Sequence, residues 1–552
     1  MATSITLIEY VLDQLASRGV RHVFGVAGDY SFPICDAICE HPELRWIGCA
    51  SELGAAYMAD GAARVGGLSA LCTTFGVGEL SALNGTAGSF AERVPVVHLV
   101  GMPSQRTQSS GAIVHHTLGD GNFQHWAEMA ARVSCNVAML TPANAHAAVP
   151  RLLDRALSQS RPLYLGIAAD EAALPIEQTT LTVRDVARSD PDALDAAVEL
   201  ICAKLATAKS ACIFVSALMV RLGLRAEVLR FVEASGLPFA AMWMDKSALD
   251  EAHPQYCGIY CGSLTNEPIR EFVEGCDLII NFGALQSDLN LGAYTARLDR
   301  RRWVTIDQSQ THVGAATFHD VQLADVLREL TDRVQHRACV ECPTPTPCEP
   351  PRGSADDPIS AADLFARLEG AIRPSDLVFV ETGTVSMGVM PLRMPAGADC
   401  HAQALWGSIG WATPAGIGGA LASGSKRCLI ITGEGALQLT AAELGTAARY
   451  GATPIVIVVN NGGYLTERLL CRNPEFEYND IAKWDYTKLP AAMGCTDWKV
   501  LRATTCGELD RALAALDDAT EACFIEVVTG RMELPAVGHV LRGSLESLYQ
   551  RA

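Results

Sequence analysis

Two short stretches near the C-terminal end could hold a cation beside a phosphorylated ligand: Gly433-Glu434-Gly435 and Asn460-Asn461-Gly462-Gly463. Each follows an apolar run, over residues 428–431 and 455–459, with a helical stretch between them. Two parallel strands joined by a helix bring both strand ends to one sheet edge, where ligands of open α/β sheets bind. One acid oxygen, from Glu434, and one amide oxygen, from Asn461, then converge. Such donors suit a hard cation such as Mg²⁺, which often completes its shell with phosphate oxygens. The glycines let backbone N–H groups approach a diphosphate. Taken alone, the unit also admits a weaker reading as an ordinary strand, turn and helix carrying a surface acid, because Gly-rich turns after strands are common.

The elements that must position these residues form a regular alternation. A helix over 5–18 precedes strands over 22–26, 70–73 and 96–100, with Pro95 placed just ahead of the last, where a missing N–H leaves the ladder intact. This pattern predicts a parallel sheet with helices on both faces. A polar stretch over 177–192 reads as a linker, followed by a second α/β segment with strands at Ala211–Val215 and Leu278–Phe282. A second linker carries Pro343, Pro345, Pro347, Pro350, Pro351 and Gly353 and can sustain neither helix nor sheet. The expected fold is α/β, three doubly wound parallel-sheet domains over 1–180, 193–338 and 356–552. The third repeats the style of the first without its sequence. Within it, Thr440-Ala441-Ala442-Glu443 reads as a capping box opening a helix that Gly451 closes.

A chain of 552 residues is too long for one core. No run of 18 uncharged apolar residues appears, so no membrane-spanning helix is expected. The start, Met1-Ala2-Thr3-Ser4, leads straight into a helix without the basic and apolar regions of a secretory signal. A net charge of −19 argues against nucleic acid or an anionic membrane as partner. The 19 cysteines are scattered, several in apolar strands (Cys72, Cys212, Cys428), where a free thiol acts as a small hydrophobe. A reducing, cytoplasmic location is the simpler reading. His336, Cys339, Cys342 and Cys348 have spacings that could build a zinc site, but they lie in a Pro-rich stretch without a second C-x-x-C, which disfavours it.

Four further motifs occur in order: Gly25-Val26-Ala27-Gly28-Asp29-Tyr30; Ser51-Glu52-Leu53-Gly54-Ala55-Ala56-Tyr57; Thr73-Thr74-Phe75-Gly76-Val77-Gly78-Glu79; and His115-His116-Thr117-Leu118-Gly119-Asp120-Gly121. With the Gly-acid-Gly and Asn-Asn stretches, they make nearly the whole chain resemble the thiamin diphosphate enzymes, specifically the 2-keto-acid decarboxylase branch (pyruvate, indolepyruvate and phenylpyruvate decarboxylases). Tyr478-Asn479-Asp480-Ile481-Ala482-Lys483-Trp484 resembles the indolepyruvate/phenylpyruvate subgroup most. The resemblance implies non-oxidative conversion of a 2-keto acid to an aldehyde and CO₂. It assigns Glu52 to activate the cofactor through its aminopyrimidine ring, a task suited to an acid in a water-poor site. Ile409, in Trp406-Gly407-Ser408-Ile409-Gly410-Trp411, would bend the cofactor into a V and so work by orientation. Asp29, His115, His116 and Glu467 would handle protons. An adjacent His pair near acids can hold different protonation states near neutral pH. Glu434, Asn461 and the Gly463 carbonyl would hold the metal. Thr74, Thr382, Gly407, Gly433, Gly435 and Ala436 would contact the cofactor. Thr384, Ser386, Met387, Thr466 and Leu470 fall in the segments that line the substrate pocket. The resemblance also implies a homodimer or homotetramer, with each cofactor between the first domain of one chain and the third of its neighbour.

The sequence departs from the family pattern in two places. Glu434 stands where Asp is usual, and its extra methylene moves the carboxylate out by about 1.5 Å. Mg²⁺ tolerates poor octahedral geometry badly, so another divalent cation is an alternative. Met387 replaces an aromatic, Ser386 an Ala or Trp, and Thr466 an aliphatic residue, which implies a more polar, more deformable pocket and a 2-keto acid larger than pyruvate, aromatic or otherwise. Alternative readings are a carboligase that joins the same activated fragment to an aldehyde, and a non-catalytic scaffold with weakened cofactor binding. A nicotinamide enzyme is disfavoured, since no G-x-G-x-x-G opens a helix with an acid about 20 residues on.

Overall fold

Short runs rich in Val and Ile, each followed by a helix, assemble into three sheets. The computed structural model describes residues 5–176, 187–337, 342–345, 348–516 and 521–549. In the first sheet six parallel strands lie in the order Arg45–Gly48, His22–Gly25, Ser69–Thr74, Val96–Met102, Leu163–Ala168, Asn136–Leu140. In the third the order is Asp399–Ala402, Leu377–Val380, Cys428–Gly433, Ile455–Asn460, Cys523–Val528, Lys499–Ala503, again all parallel. Numbered along the chain, both read 2-1-3-4-6-5, so each sheet reverses its winding between strands one and three. Every residue of Ser69–Thr74 and Val96–Met102 is buried, as central strands covered by helices on both faces require. The middle sheet has five parallel strands and ends in an antiparallel meander of Gln310–Val313 and Ala316–His319. Its strands Ala211–Val215 and Leu278–Phe282 fall where the apolar runs place them.

Three local expectations change. The first helix is Leu7–Ala16, because Thr6 and Glu9 form a capping box and residues 5–6 pair as a short strand with Pro175–Ile176. The first linker gives way to a helix at Pro191, capped by Asp190, while residues 177–186 lie outside the described ones. Thr440 and Glu443 do not cap one another. The chain forms two helices there, Glu434–Thr440 and Glu443–Tyr450, and both side chains find tertiary partners. The Thr440 hydroxyl donates to the Gly410 carbonyl at 2.8 Å. The Glu443 carboxylate instead accepts the N–H groups of Ala50 (3.1 Å) and Ser51 (3.2 Å) in the first domain, and the Thr446 hydroxyl. Gly451 does close the second helix in the left-handed conformation, φ 75°.

The first and third domains share a core. Helices Glu52–Gly66 and Ala412–Ser423 cross so closely that a Cβ on Gly61 would lie 1.9 Å from the Ala415 carbonyl oxygen, and one on Gly418 2.0 Å from that of Met58. The pairs 61–415 and 58–418 run in opposite senses, so the helices are antiparallel and their N-terminal ends point apart. Phe24, Met58, Phe379, Trp411 and Ile430 belong to one buried cluster around this crossing. Beside it Arg64 pairs with Asp60 at 2.6 Å, and the Trp411 indole N–H donates to the same carboxylate at 2.9 Å.

Of the four residues weighed for zinc, His336 bonds the Ala234 carbonyl, Cys348 packs on an apolar cluster, and Cys339 lies outside the described residues. No helix among the described residues is long and apolar enough to cross a membrane.

Candidate active site

At the C-terminal edge of the third sheet, a cavity of about 170 Å³ is lined by Thr382, Gly407, Ile409, Gly433, Glu434, Gly435, Ala436, Asn461, Gly463, Thr466 and Glu467, together with Gly383, Thr384, Val385, Val459, Tyr464 and Leu465. The strands Cys428–Gly433 and Ile455–Asn460 are neighbours, so their ends deliver Glu434 and Asn461 side by side. Glu434 is 1% exposed. Its Oε1 accepts the N–H groups of Asn461 (3.1 Å) and Gly463 (2.8 Å). Burial pushes its pKa up to about 6, against those backbone donors, which favour the ionised form. The paired asparagines divide their work. Asn461 faces the cavity, while Asn460 donates to Glu526 at 2.7 Å and accepts the Gly462 N–H. Tyr464 is tied through its N–H to the carbonyl of Asn479, which anchors the 478–484 stretch beside the cavity.

Three of the pocket residues named from sequence lie elsewhere. The Ser386 hydroxyl turns back to the Gly383 carbonyl, and Ser386 borders a separate small gap with Trp243 and Lys246. Met387 is buried in a cluster with Val537 and Leu541 of the C-terminal helix, and Leu470 is not among the lining residues. The helix Thr384–Val389 is only six residues long, so one turn decides which side chains face the cavity.

A second group stands at the edge of the first sheet. His115 Nε2 lies 2.7 Å from Asp29 Oδ2, and its Nδ1 lies 3.3 Å from the Tyr30 hydroxyl. The Tyr30 ring stacks on His115 at 4.8 Å between centroids, and His116 stands edge-on to His115 at 4.7 Å. Desolvation works to raise the Asp29 pKa, yet the bond from His115, the Tyr30 N–H and the two imidazoles carry it below its ordinary value. His116 adopts φ 65°, and its Nδ1 is buried without a partner. Glu52 opens its helix next to this group: a Cβ on Gly78 would lie 3.3 Å from Glu52 Oε1, from Thr73 and from Thr74. The Thr74 hydroxyl is buried with no hydrogen-bond partner. All described residues lining the cavity of the third sheet belong to that domain; Asp29, Glu52, Thr74, His115 and His116 are not among them.

Three family models match in chain order: the N-terminal TPP binding domain of the thiamine pyrophosphate enzymes over residues 5–141, their central domain over 198–333, and their C-terminal TPP binding domain over 381–527. An alpha-keto-acid decarboxylase of Mycobacterium leprae (strain TN) is 37% identical over 541 residues, covering 96% of this chain and 94% of the relative. Those of Mycolicibacterium paratuberculosis (strain ATCC BAA-968 / K-10) and Mycobacterium tuberculosis (strain ATCC 25618 / H37Rv) are each 38% identical, covering 96% and 98% of this chain and 95% and 97% of the relatives. The chain belongs to the thiamine pyrophosphate enzyme family.

The residues present fit that family's cofactor. The acid, amide and carbonyl oxygens at 434, 461 and 463 are the donor types a hard cation takes. A Cβ on Gly433 would meet nothing within 4 Å, so the turn is open to a ligand. In the first turn of helix Glu434–Thr440, the N–H groups of Gly435 and Ala436 have no intrahelical acceptor and face the same cavity. On the other sheet, the unpartnered Thr74 hydroxyl suits a ligand contact. The sequence reading passed over Glu381. This buried acid accepts the N–H groups of Thr382 (3.1 Å) and Ala412 (3.1 Å) and the Thr432 hydroxyl (3.3 Å). It thereby joins the three segments that form the cavity walls, and burial pushes its pKa up to about 7. A lone acid closing the apolar strand Leu377–Val380 was the signal available for it.

Proposed function

We propose that this chain decarboxylates a 2-keto acid to an aldehyde and CO₂, using thiamin diphosphate and a divalent cation. The observation that carries the reading is the convergence of Glu434, Asn461 and Gly463 on one cavity that Ile409 also lines. The names of the relatives, alpha-keto-acid decarboxylases over nearly their whole length, support it.

In this reading Glu434, Asn461 and the Gly463 carbonyl hold the cation, Mg²⁺ or another divalent ion. Gly433, Gly435, Ala436 and Thr382 hold the diphosphate end, Gly407 contacts the cofactor beside Ile409, and Ile409 orients the rings. When bound, the cofactor accepts the electron pair left as the substrate carboxylate departs as CO₂, a task no side chain performs well. Glu52 and Thr74 serve the ring end of the site. Asp29, His115 and His116, with Glu467, orient the substrate carboxylate and return a proton to the product carbon. The Asp29–His115 pair is built for such transfer, since one member is held ionised and the other is oriented by Tyr30. The antiparallel crossing directs Glu52 away from its own chain's Ile409, so a second copy supplies Glu52 and the working unit is a homodimer or homotetramer. Thr384 and Thr466 give the substrate end a polar wall, and the likeness of the 478–484 stretch to the indolepyruvate/phenylpyruvate subgroup is what favours a substrate larger than pyruvate.

The test is CO₂ release from a panel of pyruvate, branched-chain keto acids, phenylpyruvate and indolepyruvate, with thiamin diphosphate and Mg²⁺ or Mn²⁺, with and without added aldehyde. Preferred turnover of the aromatic acids is expected. Acyloin as the main product with aldehyde present would favour a carboligase, and no release from any acid would overturn the reading.

A further inference from the structure

Arg468 is a buried cation with no role in the reading above. It follows Glu467 on the helix Leu465–Leu470 and is 1% exposed. Its Nη1 donates to the carbonyls of Asn461 (3.2 Å) and Arg531 (3.3 Å) and lies 3.5 Å from Asn461 Oδ1. Its Nη2 donates to the Gly462 carbonyl at 2.6 Å and to Asp480 at 3.0 Å. Its Nε is buried without a partner. Gly463 has φ 153°, and a Cβ there would lie 2.1 Å from Arg468 Nη2 and 2.3 Å from the Asn479 carbonyl oxygen, so the glycine is what admits the guanidinium. A buried charge is costly unless compensated, and the carboxylate paired with this one, Asp480, is 45% exposed and shared with Arg531.

The arrangement acquires a purpose at the peptide between residues 462 and 463. Its carbonyl accepts from Arg468, and its N–H donates to Glu434 Oε1. A peptide unit is planar, and its C=O and N–H point in opposite directions. The unit is therefore pinned between a guanidinium on one side and a carboxylate on the other, and the Gly463 carbonyl that follows is held by the next unit, whose Tyr464 N–H donates to the Asn479 carbonyl at 2.8 Å. Arginine is donor-only, so its proximity to Asn461 Oδ1 also distinguishes the amide oxygen from the amide nitrogen.

We infer that Arg468 is a positioning residue for the cation site: by clamping the 461–463 loop it presents Asn461 Oδ1 and the Gly463 carbonyl to the ion that Glu434 binds. The inference rests on the cofactor reading above. The test is Mn²⁺ binding in the presence of thiamin diphosphate, followed by calorimetry and by the paramagnetic resonance line of bound Mn²⁺, alongside thermal melting. Arg468→Lys keeps the charge and loses the fork. It is expected to weaken Mn²⁺ at least tenfold and to broaden the resonance. Asp480→Asn alters a half-exposed partner without opening a buried gap and is expected to weaken Mn²⁺ two- to fivefold with melting unchanged. Wild-type Mn²⁺ affinity in folded Arg468→Lys overturns the inference. If that variant does not fold, wild-type affinity in Asp480→Asn overturns it. A wild-type protein that takes up no Mn²⁺ with the cofactor overturns the cofactor reading and this inference together, whereas wild-type binding with unchanged variants overturns this inference alone.

Discussion

The first and third sheets thread six strands in one order, 2-1-3-4-6-5, but arm the strand ends differently. After the second strand the first domain presents Glu52 and the third presents Ile409. After the fourth come His115 and His116 in one, and Asn461, Gly463 and Glu467 in the other. After the third strand each domain places an acid on a glycine-rich turn, Glu79 and Glu434. Both are buried, and burial pushes their pKa values up, to about 7 and about 6. Glu79 is closed in by the Gly76 N–H and the Tyr164 hydroxyl, whereas Glu434 faces a cavity. One scaffold thus yields an enclosed structural acid and a cavity-facing one. The difference lies in what stands opposite: for Glu79 a tyrosine from the strand Leu163–Ala168, two places away in the sheet, and for Glu434 the glycine-rich loop at the end of the adjacent strand. In the proposed reading the ion site sits on the third sheet and the proton-handling groups on the first, apart from Glu467, which lines the third-sheet cavity.

That division can be broken by experiment. Glu52→Gln should lower CO₂ release by about 10²–10⁴-fold with melting unchanged, the range for a positioned proton-transfer group. Near-normal turnover would reduce Glu52 to a helix-end charge worth about 0.3–1 kcal/mol. Glu434→Gln should weaken metal-dependent cofactor binding at least about tenfold by calorimetry. The same change should stabilise the metal-free protein at alkaline pH. The folded-state pKa of about 6 exceeds the ordinary 4.5, so the stability this group contributes is fully present below pH 4.5 and is lost as pH rises through 6. Removing the titration should recover about 2 kcal/mol at pH 8, read from melts across pH. A variant that melts lower than wild type at pH 8 would contradict this.

Glu443→Gln tests whether the two halves are coupled. Each carboxylate oxygen accepts one main-chain N–H just ahead of Glu52, so an amide must set its NH₂ against one of them, at about 1–3 kcal/mol. Turnover should fall about tenfold with cofactor affinity unchanged; an equal fall in both would dissolve the distinction between the sheets. Tyr30→Phe should have the smallest effect. It keeps the ring stacked on His115 and loses the hydroxyl's contacts to His115 Nδ1 (3.3 Å) and to the His115 carbonyl (3.5 Å), each worth at most about 0.5–1.5 kcal/mol net, so turnover should drop less than about tenfold. An unchanged pH–rate profile would show that Tyr30 does not orient His115.

Much of this was legible from local pattern. Fully apolar runs mark buried parallel strands whatever surrounds them, which is why Ala211–Val215 and Leu278–Phe282 fall as read. Glu434 and Asn461 depend only on neighbouring strands, and both line one cavity at the strand ends, while Asn460 turns to Glu526. What escaped depends on distant partners. Glu443 sits at a capping-box spacing from Thr440, yet its acceptors are satisfied by Ala50 and Ser51, nearly four hundred residues away in sequence. Met387 and Ser386 sit beside the lining residues Thr384 and Val385 on one short helix. The contact with the C-terminal helix, invisible in that stretch, is what turns Met387 away.

Where helices Glu52–Gly66 and Ala412–Ser423 cross, Gly61 and Gly418 let main chain rest on main chain. Spacing there is set by atoms that cannot change rotamer, so the joint has no soft mode with which to absorb an added methyl group. In the proposed two-copy reading, a single alanine at either position would wedge the domains apart and misalign Glu52 in one reaction chamber and Ile409 in another, an error propagated to two places by one carbon.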